Sequence, residues 1–286
     1  MLFTKDAVFV GTDDGEGHVY AFDLATGKVR WKFRADRGVG TDIVRHASRL
    51  FAVSIEDRLL CLELETGLLL WEKRAEADAS ERLSLGSTPA VGDGTVYFGS
   101  VTGTLSAQDI ETGETRWETP LGSEVVTSVL LLEDAILAGT EDARIHRADP
   151  ATGKLERSID VPEKARGHLV VTPVGSIAAF LGWENDLLVS FDPSLNPQWS
   201  SSPPDGSGWS TARPFVLGPW ILAGTRAGMI YAVDAAQGTV AWAHDVDPER
   251  DWSEDAVRVF GAHDATLFVG TISGTLYAFR MGERTE

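Results

Sequence analysis

The sequence predicts an all-β chain folded as a seven-bladed β-propeller of four-stranded antiparallel blades, and three observations carry that expectation. A segment of the form D-x-x-T-G-x-x-x-W recurs along the 286 residues. Each copy follows short runs of β-branched and aromatic residues that end at Gly. No stretch shows a helical period. The copies run Asp23 to Gly27 with Trp31, Glu63 to Gly67 with Trp71, Asp109 to Gly113 with Trp117, and Asp149 to Gly153 with Arg157 in the Trp position. Two weaker copies are Asp192 with Trp199, one residue short, and Asp234 to Gly238 with Trp242. Self-similarity at a period of roughly 40–50 residues is the signature of a repeat architecture. Even spacing to both ends predicts a single domain over residues 1–286.

Each repeat supplies four strands in order. A short innermost strand is expected at segments such as Ser87–Val91, Thr127–Leu131, Leu169–Thr172 and Arg213–Val216. The second strand is the apolar run ending at Gly, as in Val8-Phe9-Val10-Gly11 and Val96-Tyr97-Phe98-Gly99. A hairpin turn follows at Asp57-Arg58, Thr102-Gly103, Ala227-Gly228 or Ser273-Gly274. The third strand alternates large residues with one small one, at Ala21, Cys61, Ala107, Ser190, Ala232 and Ala278, a pattern that suits burial on both faces. The D-x-x-T-G segment is then a tight turn: Asp and Thr hydrogen-bond nearby backbone, and Gly supplies a positive φ. It leads into a fourth strand whose Trp wedges between blades. Trp31, Trp71, Trp117, Trp199 and Trp242, with Gly27, Gly67, Gly113, Gly153 and Gly238, are therefore scaffold residues. Radial repetition of such blades leaves only short edges.

The ends are irregular. Met1 aligns with Pro89, so the first blade begins almost at its second strand, and no Trp strand follows Phe279-Arg280-Met281. A three-stranded last blade, a closing strand from the N-terminal segment, or a trimmed piece of a longer ring all account for this.

Composition narrows the function classes. Lys plus Arg is 25 against 43 Asp plus Glu, a formal net charge of −18. That field disfavours nucleic acid and anionic lipid as partners. With few lysines and acids spread over all repeats, it suggests a halophilic protein adapted to a salt-rich cytoplasm, where screening removes self-repulsion. No run of 18 apolar residues and no signal peptide is seen, which gives a soluble, cytoplasmic expectation. The one cysteine, Cys61, falls in the packing column and excludes a disulfide framework. No nucleophile elbow, zinc motif, Walker loop or dinucleotide fingerprint is present, so no catalytic residue and no metal site is expected. The acidic tip Asp13-Asp14-Gly15 reads as an exposed turn, and the histidines as solvated or packing residues.

The Gly-Ser/Thr, Tyr-Ala-x-Asp-x-x-Thr-Gly and Trp spacing, seen in Gly270-Thr271, Tyr277-Ala278 and Asp23 to Trp31, resembles the PQQ-like (quinoprotein-type) β-propeller repeat over essentially the whole chain. The resemblance implies fold more than function. Its members include quinone-dependent dehydrogenases, outer-membrane assembly lipoproteins and propeller domains attached to kinases or sensors. The dehydrogenases have eight blades, a vicinal disulfide under the quinone, a calcium site and a catalytic Asp. This chain has neither the cysteine pair nor an oxygen-ligand loop, so no PQQ or other cofactor is expected.

One cluster departs from the repeat. Aligned on Pro89, the starts of the innermost strands carry Arg166 and His168, Arg213, and Arg258, with the non-repeat Trp209 and Trp252 on the same approaches and Trp183 in the divergent fifth blade. A cationic, aromatic-lined channel mouth would select an anionic small molecule or an acidic segment of a partner. Local pairing of the arginines, with Trp209 as a lid, is the plainer reading. The function expected is a non-enzymatic scaffold binding a protein partner or ligand on one face. The alternative is an enzyme or sensor holding a quinone-like or other small anion in the central channel.

Overall fold

The structure, a computed structural model, describes residues 1–12, 16–35, 38–74, 87–181, 187–204, 206, 208–209, 213–247, 256–263 and 266–280. Asp13-Asp14-Gly15, Trp183 and Trp252 lie outside them. The described residues are all β: seven antiparallel sheets, six of four strands and a last one of three, the blades of a seven-bladed β-propeller.

Two compact units, Met1–Asp160 and Val161–Glu286, make up the chain. The first holds four blades: β1–β4 (Leu2–Phe3, Ala7–Gly11, His18–Asp23, Val29–Arg34), β5–β8 (Val44–His46, Arg49–Val53, Arg58–Glu63, Leu69–Arg74), β9–β12 (Ala90–Gly92, Thr95–Gly99, Thr104–Asp109, Thr115–Pro120) and β13–β16 (Leu130–Leu131, Ile136–Thr140, Arg144–Ala148, Leu155–Asp160). The second holds β17–β20 (Ala165–Val171, Ile177–Leu181, Leu187–Phe191, Pro197–Ser201), β21–β24 (Phe215–Leu217, Trp220–Gly224, Met229–Asp234, Val240–Asp245) and β25–β27 (Val257–His263, Thr266–Thr271, Leu276–Arg280). Within each blade the strands pair in chain order. Leu2–Phe3 pairs with β2 across Leu2↔Phe9, so the N-terminal segment is the innermost strand of the first blade and does not close the last one.

The alternation of large and small residues has a register explanation. Each small residue of the third strand sits directly opposite the wedge Trp: Ala21↔Trp31, Cys61↔Trp71, Ala107↔Trp117, Ser190↔Trp199 and Ala232↔Trp242. Where Trp gives way to Arg157, the small residue gives way to Arg147, and the two arginines are opposite. A β-bulge follows the residue opposite the wedge position in all six of these blades, for example between Ala21 and Phe22 and between Arg147 and Ala148. The extra residue increases local twist and bends the strand into the turn. The five small residues facing Trp are buried. Ala278, in the three-stranded sheet, is exposed.

The D-x-x-T-G turn forms as its residues dictate. Asp23 Oδ1 accepts from the Thr26 amide at 2.9 Å and the Thr26 hydroxyl at 2.7 Å, and Asp149 does the same with Thr152. Arg30 and then Thr26 hold the Asp23 carboxyl down at about 2, and Arg116 followed by the Thr112 amide does so for Asp109. The glycines serve a second purpose beyond positive φ. A Cβ on Gly67, Gly113, Gly153 or Gly238 would come within 2.4–2.7 Å of the ring of Trp31, Trp71, Trp117 or Trp199 respectively, each on the preceding strand group. Gly27, at φ 68°, has nothing within 4 Å. Gly27→Ala should therefore lose only the positive-φ preference, about 1 kcal/mol. Gly113→Ala adds a clash with the indole and should lose roughly 2–3 kcal/mol. Urea titration of both variants checks this, and equal losses would contradict the close-approach argument.

Candidate functional site

Two of the three innermost strands associated with the cations singled out by alignment have irregular backbone. In β17, Arg166 pairs with Phe180 and Leu169 with Ala179, so Gly167 and His168 bulge out between them, Gly167 at φ 74°. In β25, Val257 pairs with Thr271 and Val259 with Gly270, which leaves Arg258 as the extra residue. Arg213 is exposed just before β21. Among the described residues no innermost strand of the first four blades carries such a bulge. Bulges re-aim side chains and cluster near functional positions. The backbone thus departs from the repeat in β17 and β25, while β21, which follows Arg213, pairs regularly.

Trp209 is placed differently from the rest of that group. It is 2% exposed, its ring centroid lies 5.9 Å from Phe180 and 5.6 Å from Tyr231, and its Nε1 donates to the Ser201 carbonyl at 3.3 Å. It packs with Val170, Leu188 and Ile221 in a core shared by β17–β20 and β21–β24. An indole so enclosed stabilises the join of two blades and offers a ligand little surface. His168 is partly buried.

The wedge column contains an exception that the repeat pattern conceals. Trp31, Trp71, Trp117 and Trp199 donate Nε1–H to the carbonyls of Leu64, Ile110, Pro150 and Ala235 in the next blade, at 3.1–3.2 Å. Among the described residues Trp242 has no such acceptor, and it is 39% exposed. It lines an open cavity of about 590 Å³ with Trp220, His244, Leu267 and Phe279. His244 and Phe279 meet edge to face, 4.7 Å between centroids. Ala278, Phe279 and Arg280 of β27 also line the cavity, and β27 is the edge of its sheet among the described residues; the main-chain groups of a sheet edge are a template for strand addition.

Sequence reasoning also missed Asp57. It occupies the left-handed turn position (φ 59°) that Gly103, Gly228 and Gly274 fill in other blades. Its residue surface is 1% exposed, Oδ2 accepts from the Val101 amide at 3.1 Å, and Oδ1 has no partner. Burial, and more weakly the charge of Glu124, push its carboxyl up to about 6. The signal was present in the sequence: a charged residue where the repeat asks for Gly.

Cys61 bears on any quinone. Its side chain is fully buried opposite Trp71, and burial pushes the thiol up to about 11. With no second cysteine in the chain, the vicinal pair expected beneath a quinone cannot form. No group of three His, Cys, Asp or Glu that could hold a metal exists among the described residues, and no described helix is long and apolar enough to cross a membrane.

Seven antiparallel sheets, with a Trp-on-Gly wedge at three junctions of the first unit and one of the second, define a propeller of the PQQ-like class. The chain belongs to the family described as outer membrane protein assembly factor BamB, whose family model matches residues 15–166. BamB of Yersinia pestis is 27% identical over 234 residues, covering 76% of this chain and 56% of that protein. A putative dehydrogenase, XoxF of Paracoccus denitrificans, is 23% identical over 279 residues, 83% of this chain and 43% of its own. The chain thus spans about half the length of the curated relatives it matches. The crystal structure of BamB from Moraxella catarrhalis superimposes with a TM-score of 0.76 at 15% identity, over 96% of this chain and 82% of that one.

Proposed function

We propose that this protein is a non-enzymatic scaffold that binds a partner protein, and that it works in the cytoplasm without a quinone. The observation that carries the reading is the open apolar cavity of Trp242, His244 and Phe279 beside the free edge of β27. Clefts lined by aromatic side chains with a few polar groups are the usual binding sites of folded proteins. A sheet edge adds main-chain hydrogen bonds for an extended segment. The BamB relatives, named as outer membrane protein assembly factors, support the scaffold part of this reading.

A photo-crosslinking residue at the exposed Ala243 should trap a partner reproducibly, with a control at Glu114 trapping none. Trp242→Glu should abolish the trapped band. A band that survives Trp242→Glu, or that appears equally from Glu114, would remove the cavity from the argument. The second reading, a small anion or quinone held by the cations at Arg166, Arg213 and Arg258, draws on the dehydrogenase relatives and the two bulges. Titration with PQQ separates them: a visible absorption change and a rise in Tm that Arg213→Ala removes would favour the second.

A further inference from the structure

The fourth blade lacks the wedge Trp, and the position after Arg157 belongs to a chain of polar side chains instead. His146 of β15 stands opposite Ser158 of β16, where the first three blades pair Tyr20 with Lys32, Leu60 with Glu72 and Ser106 with Glu118. His146 is 3% exposed, and both ring nitrogens are engaged. Nδ1 lies 2.8 Å from the Ser158 Oγ, and Nε2 lies 3.1 Å from the Thr140 Oγ1. Thr140, fully buried at the end of β14, donates its hydroxyl to Asp142 Oδ1 at 2.6 Å. The carboxylate fixes the direction of every bond in the chain, because it only accepts. The Thr140 proton points at Asp142, so the Thr140 oxygen accepts from His146 Nε2–H. Nδ1 then carries the lone pair and accepts from the Ser158 hydroxyl. Ser158 itself is exposed. A serine hydroxyl on the surface, an imidazole base behind it and a third group that sets the tautomer are the parts that make serine nucleophilic.

We propose that Ser158 is a covalent acceptor of acyl groups from activated carboxylic esters, with His146 as its general base and Thr140 and Asp142 as positioning residues. The Ser158 Oγ bonds to the ester carbonyl carbon while its proton passes to His146 Nδ1. The ester C–O bond then breaks, and the leaving oxygen takes the bonding electron pair and that proton. His146 is neutral again and the acyl group stays on the chain. The base is in the right state for this at neutral pH. Burial holds the imidazole below its ordinary 6.5 against the pull of the Asp142 charge, and Arg144 acts in the same sense as burial. Arg144 is itself paired with Asp160 at 2.9 Å. All four residues of the hydrogen-bonded chain come from β14, β15, β16 and the turn at Asp142, so the site lies within the first unit and does not depend on the cavity at Trp242. Acylation there is a modification of the scaffold at one position and needs no turnover.

Labelling of the full chain with a fluorophosphonate and, separately, with p-nitrophenyl acetate, each followed by peptide mass mapping, tests the idea. The fluorophosphonate forms a P–O bond to Ser158 as its P–F bond breaks and fluoride leaves. The acetate ester transfers its acetyl group and releases p-nitrophenol. Both adducts are expected on Ser158, at a rate that rises with pH and levels off by about pH 7, once His146 is neutral. His146→Gln should slow labelling at least about a hundredfold. Asp142→Ala removes the group that sets the tautomer and should slow it about two- to tenfold, the size of one hydrogen bond, with an unchanged circular dichroism spectrum. Asp142 is exposed, so this arm stays readable if the His146 variant misfolds. Thr140→Ser, which keeps the hydroxyl, should label faster than Thr140→Val. A chain that takes no label on Ser158 overturns the proposal, as does one that takes the phosphonyl group and never the acetyl group. So does a rate indifferent to His146→Gln and Asp142→Ala, or one that climbs about tenfold per pH unit up to about pH 9, as an unassisted hydroxyl does.

Discussion

Trp71→Ala should destabilise the first unit by roughly 3 kcal/mol, within the range for deleting a large aromatic from a packed site. The Trp71 indole sits over Gly113, 5.8 Å from the Phe51 ring, and its Nε1 donates to Ile110 at 3.2 Å. The substitution removes the apolar contact between two blades and leaves the Ile110 carbonyl without its donor. For a unit of this size the loss corresponds to about 6–12 °C in Tm. Trp242→Ala is the internal control. Its ring is 39% exposed and meets no acceptor among the described residues, so its loss should stay below about 1 kcal/mol. Thermal melts of the two variants decide the matter, and similar losses would mean that the wedge contact contributes little.

Asp57→Asn is expected to have a large effect of the opposite sign. The folded-state carboxyl, at about 6, lies above the ordinary aspartate value of 3.8. A raised carboxyl contributes stability that is fully present below about pH 4 and is lost as pH rises through 6, because ionisation in the fold opposes burial. The whole difference is worth about 3 kcal/mol at most. Asn is uncharged, tolerates the left-handed backbone and keeps an oxygen for the Val101 amide. The variant should therefore be more stable than the parent by roughly 1–3 kcal/mol at pH 8, with the advantage gone near pH 4. The parent's other shifted carboxyls, Asp6, Asp23, Asp109 and Asp149, are all held down, act in the opposite sense at lower pH and cancel in the comparison. Urea unfolding at pH 4, 6 and 8 reads the difference. An Asn variant less stable at pH 8 would show that the ionised oxygen's bond to Val101 outweighs its desolvation.

Much of the architecture was legible before any coordinates. The Trp and Gly columns, the turn chemistry and the small-residue column correspond to contacts at most positions, with Gly27, Trp242 and Ala278 as exceptions, because each is set by residues within one repeat or by a fixed offset to the next. The innermost strands were legible less well: Thr127–Leu131 was expected, and only Leu130–Leu131 pairs in the sheet. Those strands are short, and the loop before them varies from blade to blade. The Met1 alignment suggested that the first blade lacks its opening strand. Two residues, Leu2 and Phe3, suffice to supply it.

The candidate site divides the same way. Arg166, His168, Arg213 and Arg258 were found because they interrupt a pattern, and for two of the strands that interruption is also a bulge. Trp209 interrupted the pattern too, yet it is a core residue. Nothing in its neighbours Gly208 and Ser210 announces Phe180 and Tyr231, which come from two different blades.

By itself the sequence determined the blade count, the wedge and its glycine, the net negative charge and the absence of a vicinal cysteine pair. Each of these is a matter of identity and spacing along the chain. Only the tertiary structure decided which wedge indole is left exposed, which carboxyl is buried without a second partner, and which serine meets a buried imidazole. Burial is a property of contacts between residues far apart in sequence, and a repeat that looks uniform in spacing need not be uniform in what each copy meets.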